Sequence, residues 1–100
     1  ALRTRLEMAA NKVDTAPLQA KLAANPDDHA SRIELARAHA AGGEYREAFE
    51  AALEVTRRDR DFDEQAGRKL LLQFFEMLAG NEQHKALVRE FRRRLSSMLN

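Results

Sequence analysis

The stretch that decides the fold is residues 25–60, which read NPDDHASRIELARAHAAGGEYREAFEAALEVTRRDR. Asp27 and Asp28 predict the capped start of a helix, because their carboxylates accept hydrogen bonds from the free N–H groups of a first turn. This helix ends at Gly42-Gly43, where the backbone can turn left-handed. A second helix then runs to about Arg57. The stretch therefore predicts two antiparallel helices joined by a short loop.

Helical spacing of apolar residues continues on both sides of this pair. We predict four further helices: one over about 2–11, a short one that must stop at Asn25 before a proline, one over about 61–79 and one over about 83–99. Asp61-x-x-Glu64 resembles a capping box and predicts the start of the fifth helix. The apolar stripe of that helix is about twice as wide as usual, so we expect it to contact partners on two sides.

Composition supports an all-α chain and excludes several other classes. The 100 residues include 4 Gly, 2 Pro and no Cys, which argues against a turn-rich β-sandwich, a disulfide framework and Cys-ligated metals. The formal net charge of +1 argues against a general nucleic-acid binder. No apolar run approaches the roughly 18 residues of a membrane span. We expect one small helical domain over residues 1–100, with no membrane partner and no nucleic-acid partner.

The chain opens ALRTRL, with helical spacing from Leu2 and no capping residue before it. We interpret this start as a cut within a longer protein whose upstream domain is missing. Leu2, Leu6 and Val13 form an apolar stripe that an upstream repeat would cover. We therefore expect residues 1–13 to fold back or to mediate self-association.

An internal period gives the first specific signal for a family. Asn25-Pro26 closes one helix and Asp59-Arg60 closes another 34 positions later, with Leu35-Ala36, Gly43 and Tyr45 between them. These spacings resemble one tetratricopeptide repeat over residues 29–62. Residues 63–99 keep the helix-turn-helix form as a degenerate terminal pair. The resemblance implies antiparallel helix pairs, about six helices in all, in a short right-handed solenoid or bundle.

Three blocks extend the resemblance: LAANPDD at 22–28, RRDRD at 57–61 and FRRRL at 91–95. Their order is similar to the C-terminal helical domain of the bacterial YbbN/CnoX co-chaperones, which join a thioredoxin-like domain to helical repeats. This implies a cytoplasmic interaction module without enzyme activity or cofactor, which holds unfolded clients and docks to a GroEL-type chaperonin. The alternative is the helical domain of a thioredoxin-like redox protein whose chemistry lies in the missing N-terminal domain.

The sequence gives little evidence for catalytic or metal-binding residues. His29, His39 and His84 lie on three different segments without a metal-binding motif, and we interpret them as structural or surface histidines. The acids between Asp59 and Glu64 lack the central Gly and the distal Glu of a calcium loop, so helix capping explains them better. We therefore predict no catalytic residues, no metal site and no cofactor-binding residues.

The final helix carries the candidate partner surface. Its basic block follows Phe91 and could bind nucleic acid or a lipid surface, but a solvated face that pairs with residues 59–64 is the simpler interpretation. We predict that deleting Leu95–Asn100 weakens chaperonin binding and leaves the fold intact; in the alternative, Leu95 and Leu99 complete the core. The residues predicted to bind partners are Arg92, Arg93, Arg94, Leu95, Met98 and Leu99.

The predicted core combines apolar residues from four helices. We expect six side chains to be buried together: Leu35, Phe49, Leu53, Leu71, Phe75 and Phe91.

Overall fold

The computed structural model describes residues 14–99, and this part of the chain is helical without any strand. Its five α-helices and one short 3-10 helix are α1 Ala16–Ala24, α2 His29–Ala41, α3 Tyr45–Arg58, α4 Ala66–Met77, the 3-10 helix Glu82–His84 and α5 Lys85–Leu99. The all-α prediction is confirmed. The helix predicted over 2–11 and the residue Asn100 lie outside the described residues.

The helix pair at the centre of the sequence forms as its caps predict. Asp28 is the N-cap of α2, and its carboxylate accepts hydrogen bonds from the Ser31 amide at 3.1 Å and the Ser31 hydroxyl at 2.8 Å. These bonds favour the ionised form and lower the pKa of Asp28. At the other end of α2, Gly43 has φ of +79°, a conformation that residues with a Cβ rarely adopt.

The predicted start of α4 is wrong. Asp61-x-x-Glu64 does not form a capping box, because Asp63, Glu64 and Gln65 all have positive φ and form a turn before the helix. Helix α4 begins at Ala66 and is fixed by its contact with α3 at Gly67. A Cβ at Gly67 would lie 2.6 Å from Thr56 Oγ1 and 2.9 Å from the Ala52 carbonyl oxygen, so the two backbones approach closely.

The core is built around Phe49 of α3. Its ring lies 5.8 Å from Phe74, 5.4 Å from Phe75 and 5.3 Å from Phe91 between centroids, so α3 holds both α4 and α5. Five of the six predicted core residues are buried: Phe49, Leu53, Leu71, Phe75 and Phe91.

Leu35 is less buried than predicted. Its side chain is only half-buried and lines an open hollow between α2 and α3. Leu35 faces away from α4, and within residues 14–99 no helix covers that side of the pair. The small residue next to it, Ala36, is the one that is fully buried.

The helices pack as successive layers on the α2/α3 pair. Helix α1 packs on α2, α4 lies mainly on α3 with some contact to α2, and α5 also packs on α3. Residues 29–58 therefore form one antiparallel pair, and α4 and α5 are each attached to it through α3. The division of the chain into a best repeat at 29–62 and a degenerate pair at 63–99 stays a prediction.

Candidate interaction surface

A long groove runs between α4 and α5 on the side of the molecule away from α3. It consists of three adjoining hollows of about 330, 330 and 320 Å³, all of which Arg92 lines. We call this surface the α4/α5 groove. Its apolar lining is contributed by Leu72, Phe75, Leu78, Ala79, Val88, Leu95 and Leu99.

The groove exists because α4 and α5 are each held by α3 more than by one another. Phe91 of α5 packs edge-on against Phe49. Two bidentate ion pairs hold the same interface: Arg46 donates to both carboxylate oxygens of Glu90 at 3.1 and 2.9 Å, and Arg94 donates to both of Glu50 at 3.1 and 3.0 Å. These contacts position α5 on α3 and leave the outer edges of α4 and α5 apart.

The groove offers apolar surface to solvent. Leu72 is 43% exposed, although it belongs to a helix whose other large apolar residues are mostly buried. Met77 is also exposed, at 57%, but lies outside the lining of the three hollows. Leu95 is 5% exposed and so serves as the floor, while Leu99 is half-buried at the end of the groove.

Two arginines line the Leu99 end of the groove without a carboxylate partner among residues 14–99, and one of them, Arg92, also lines the rest of the groove. The guanidinium of Arg92 lies 5.5 Å from the centroid of the Phe75 ring, and Arg68 donates a long hydrogen bond of 3.4 Å to Gln65. The hollow that these arginines share with Leu72, Leu95 and Leu99 contains no acidic residue. At the other end Lys85 pairs with Glu82 at 3.7 Å, so the uncompensated positive charge belongs to the Arg68 end.

The remaining predicted partner residues lie on a different face. Arg93, Arg94 and Met98 line a separate hollow of about 520 Å³ with Leu53. Arg94 already has partners within the domain: it pairs with Glu50, and its guanidinium lies 4.6 Å from the Phe91 ring centroid.

The predicted pairing of the basic block with residues 59–64 is wrong. Arg94 pairs with Glu50 of α3 and with Glu90 of its own helix, and within the described chain none of the three arginines pairs with the 59–64 segment. That segment makes other contacts: Glu64 pairs with Lys69, and Asp59 lies 4.0 Å from His29. The turn at residues 63–65 determines which way the side chains of this segment face, and the sequence did not reveal that turn.

A larger hollow of about 570 Å³ lies between α2 and α3, but several of the charges that line it are already paired within the domain. Arg46 is bound to Glu90, and Glu54 accepts hydrogen bonds from Arg57 and Arg58. The Arg57 guanidinium is the main cause of the low pKa of Glu54, about 2. Only Leu35 and Ala51 supply apolar lining, so this hollow is a weaker candidate than the α4/α5 groove.

The three histidines lie apart from each other. The His29 ring packs edge-on against Phe62 at 5.1 Å, the His84 ring packs against Tyr45 at 4.8 Å, and His39 Nδ1 lies 2.9 Å from a Glu44 carboxylate oxygen. Over residues 14–99 no group of three or more His, Cys, Asp or Glu side chains is placed to hold a metal ion. None of the helices in the same range is long and apolar enough to cross a membrane.

Sequence reasoning found half of the α4/α5 groove. Arg92, Leu95 and Leu99 were predicted and do line it, whereas Arg68 and Leu72 of α4 were missed. The broad apolar stripe predicted for α4 is buried, with Leu70, Leu71 and Phe74 all at most 6% exposed. Leu72 lies outside that stripe, so no signal in the sequence indicated it.

Comparison with known proteins gives one match. A family model described as tetratricopeptide repeat matches residues 8–100. No curated protein and no solved structure matches the chain significantly. The expected tetratricopeptide-like helical domain is thereby confirmed, and the finer resemblance to the YbbN/CnoX co-chaperones stays a prediction.

Proposed function

The chain belongs to the tetratricopeptide repeat family, which supports a protein-interaction module. From the sequence blocks at 22–28, 57–61 and 91–95 we propose more specifically that it is the interaction module of a thioredoxin-like co-chaperone. In this role it holds non-native client proteins and docks to a GroEL-type chaperonin in the bacterial cytoplasm. The observation that carries the proposal is the open α4/α5 groove, with solvent-exposed Leu72 beside Arg68 and Arg92.

The mechanism uses weak, reversible capture. Non-native chains expose apolar segments, and an apolar groove on a stable helical scaffold removes part of that surface from water. Arg92 and Arg93 lie on the solvent side of α5 and steer acidic surfaces towards it, which affects the association rate more than the affinity. A holder of this kind acts by mass action on the unfolded state and uses no nucleotide.

Two assays test the proposal with the 100-residue chain. Light scattering follows the aggregation of a chemically denatured client on dilution, and pull-down measures capture of a purified GroEL-type chaperonin. We expect suppression of aggregation and salt-sensitive capture. An Arg92→Glu/Arg93→Glu variant should slow chaperonin association, whereas an Arg37→Glu/Arg89→Glu variant of equal charge should not. Unchanged aggregation together with no chaperonin capture would reject the function.

The alternative is a redox protein whose chemistry lies upstream. The chain contains no Cys, so a thiol reaction would have to come entirely from another part of the protein. The discriminating observation is the upstream reading frame: a Cys-x-x-Cys after a strand favours the redox role, and a thioredoxin-like domain without that pair favours the co-chaperone.

A further inference from the structure

We infer that the α4/α5 groove is the seat for a single acidic, amphipathic helix of a partner protein. The apolar face of that helix would cover Leu72 and Leu99, and one of its carboxylates would bind between Arg68 and Arg92. The inference rests on the proposed function only in taking the partner to be a protein.

The packing of α4 within this domain is an example of a helix bound on a helix pair. Helix α4 lies on the α2/α3 pair, where Gly67 allows close approach to Thr56 and two phenylalanines pack on Phe49. Repeat folds bury their apolar faces by stacking one helix on the preceding pair in this way. Helices α4 and α5 are each anchored on α3 and leave the groove between them, and within residues 14–99 no helix lies in that groove. A helix is therefore the occupant whose shape the groove fits.

The charge at the Leu99 end of the groove favours an acidic helix, whereas Glu76 and Glu82 line the other two hollows. The hollow at the Leu99 end is lined by Arg68 and Arg92 with no acidic residue, and neither arginine has an ion-pair partner in the described part of the chain. Guanidinium–carboxylate hydrogen bonds are shorter and stronger than those between neutral groups. A partner carboxylate at this end completes the surface, whereas a partner lysine would be repelled.

A second copy of the chain fits the groove less well. Arg92 lines all three hollows and so occupies the centre of the groove. A two-fold axis through that centre brings each residue near its own symmetry mate. The two Arg92 guanidinium groups would then face each other, and like charges at close range oppose association.

The test uses synthetic helical probes and fluorescence anisotropy. The first peptide is about 18 residues long, because shorter isolated helices are marginal in water, and places Leu on one face and Glu beside it. A matched peptide carries Lys at every Glu position. We expect the Glu peptide to bind the 100-residue chain at least about tenfold more tightly than the Lys peptide, a difference of about 1.4 kcal/mol.

A charge swap makes the test specific. In an Arg68→Glu/Arg92→Glu variant the preference should reverse, so that the Lys peptide binds more tightly. The matched control is Arg37→Glu/Arg89→Glu, which changes the net charge equally at exposed positions outside the lining of the groove. Circular dichroism establishes that each variant is folded.

A second pair of variants covers the case in which the charge swap disturbs folding. Leu72→Ser removes an exposed groove residue and should weaken binding of the Glu peptide at least about tenfold. Met77→Ser, on the same helix but outside the groove lining, should leave it unchanged. Equal binding of both peptides, or full binding by the folded Leu72→Ser variant, overturns the inference.

The outcome is separable from that of the proposed function. If the chain suppresses aggregation and captures chaperonin but binds neither peptide, the groove is not a helix-binding site, and the proposed function is retained. If the Glu peptide binds in the groove while both functional assays fail, the seat stands and the co-chaperone role is rejected. A dimer seen by light scattering that Leu72→Ser dissolves would assign the groove to a second copy and overturn the inference.

Discussion

Gly67 is the residue at which the packing of α4 on α3 is tightest. An added Cβ would meet Thr56 Oγ1 at 2.6 Å and backbone atoms of α3 at 2.9 and 3.1 Å, which cannot move without shifting a helix. We expect Gly67→Ala to lower the free energy of unfolding by about 1–3 kcal/mol, the usual cost of overpacking. Urea melts measure it.

Gly42→Ala is the matched control for this substitution. Gly42 has φ of −88°, and the nearest atom to an added Cβ lies at 3.6 Å, so the change should be close to neutral. Equal losses at the two positions would show that α4 does not approach α3 as described.

Phe75 connects the core to the α4/α5 groove. It is 2% exposed, packs edge-on against Phe49 and carries the Arg92 guanidinium on its ring. We expect Phe75→Ala to cost about 3–5 kcal/mol of stability, the usual range for a deleted core aromatic. Leu35→Ala, at a half-buried position, should cost clearly less. A loss below about 1 kcal/mol for Phe75→Ala in urea melts would contradict the core assignment.

At the scale of the elements, Glu54 of α3 and Glu90 of α5 link the stability of the fold to pH. The Arg57 and Arg58 guanidinium groups lower the pKa of Glu54 from its usual 4.5 to about 2, and Arg46 lowers that of Glu90. A carboxylate with a depressed pKa stabilises the fold above its unfolded value and loses that contribution as the pH falls towards the folded value. We expect the melting temperature to fall between about pH 4.5 and pH 2.

Thermal melts at several pH values test this, with Glu54→Gln as the matched variant. The amide cannot titrate, so Glu54→Gln should be less stable than the parent at neutral pH and should converge with it at low pH. Parallel curves for the two proteins over the whole range would contradict a role for the Glu54 carboxylate.

Most of the helical elements could be predicted because their signals are local. Pro26, Asp28 and Gly43 fix the ends of α2 through backbone geometry and capping, and the structure places those ends within a residue or two of the prediction. The start of α4 could not be predicted in this way. Asp61 and Glu64 have the types and spacing of a cap, but the docking of Gly67 against α3 sets where α4 begins, and that contact is not local.

At the scale of the whole molecule, the sequence predicted a partner surface on one helix, whereas the candidate α4/α5 groove is lined by two. Arg92 and Leu99 of α5 were predicted, while Arg68 and Leu72 of α4 join them only because both helices are anchored on α3. The periodicity of a helix indicates which faces are apolar. It does not indicate which of two apolar faces stays uncovered, so the groove itself could not be found from the sequence.

Self-association is a property of the whole chain that stays a prediction. Leu2 and Leu6 lie on the predicted apolar stripe outside the described residues, and an uncovered stripe favours association. We expect the apparent mass from light scattering to rise with concentration, and Leu2→Ser/Leu6→Ser to reduce that rise. A constant monomer mass for the parent chain up to millimolar concentration would exclude association through residues 1–13.

The end of α5 serves both the core and the groove, and the two roles require different variants. Deleting Leu95–Asn100 removes Leu95, which is 5% exposed within the core cluster, so the melting temperature should fall by an amount that matches about 2–5 kcal/mol. We therefore no longer expect this deletion to leave the fold intact.

Leu99→Ser removes only a half-buried side chain at the end of the groove. It should weaken chaperonin capture and change the melting temperature only slightly. If the deleted chain melts like the parent, Leu95 is not part of the core. If Leu99→Ser captures chaperonin as well as the parent does, the end of α5 contributes to stability alone.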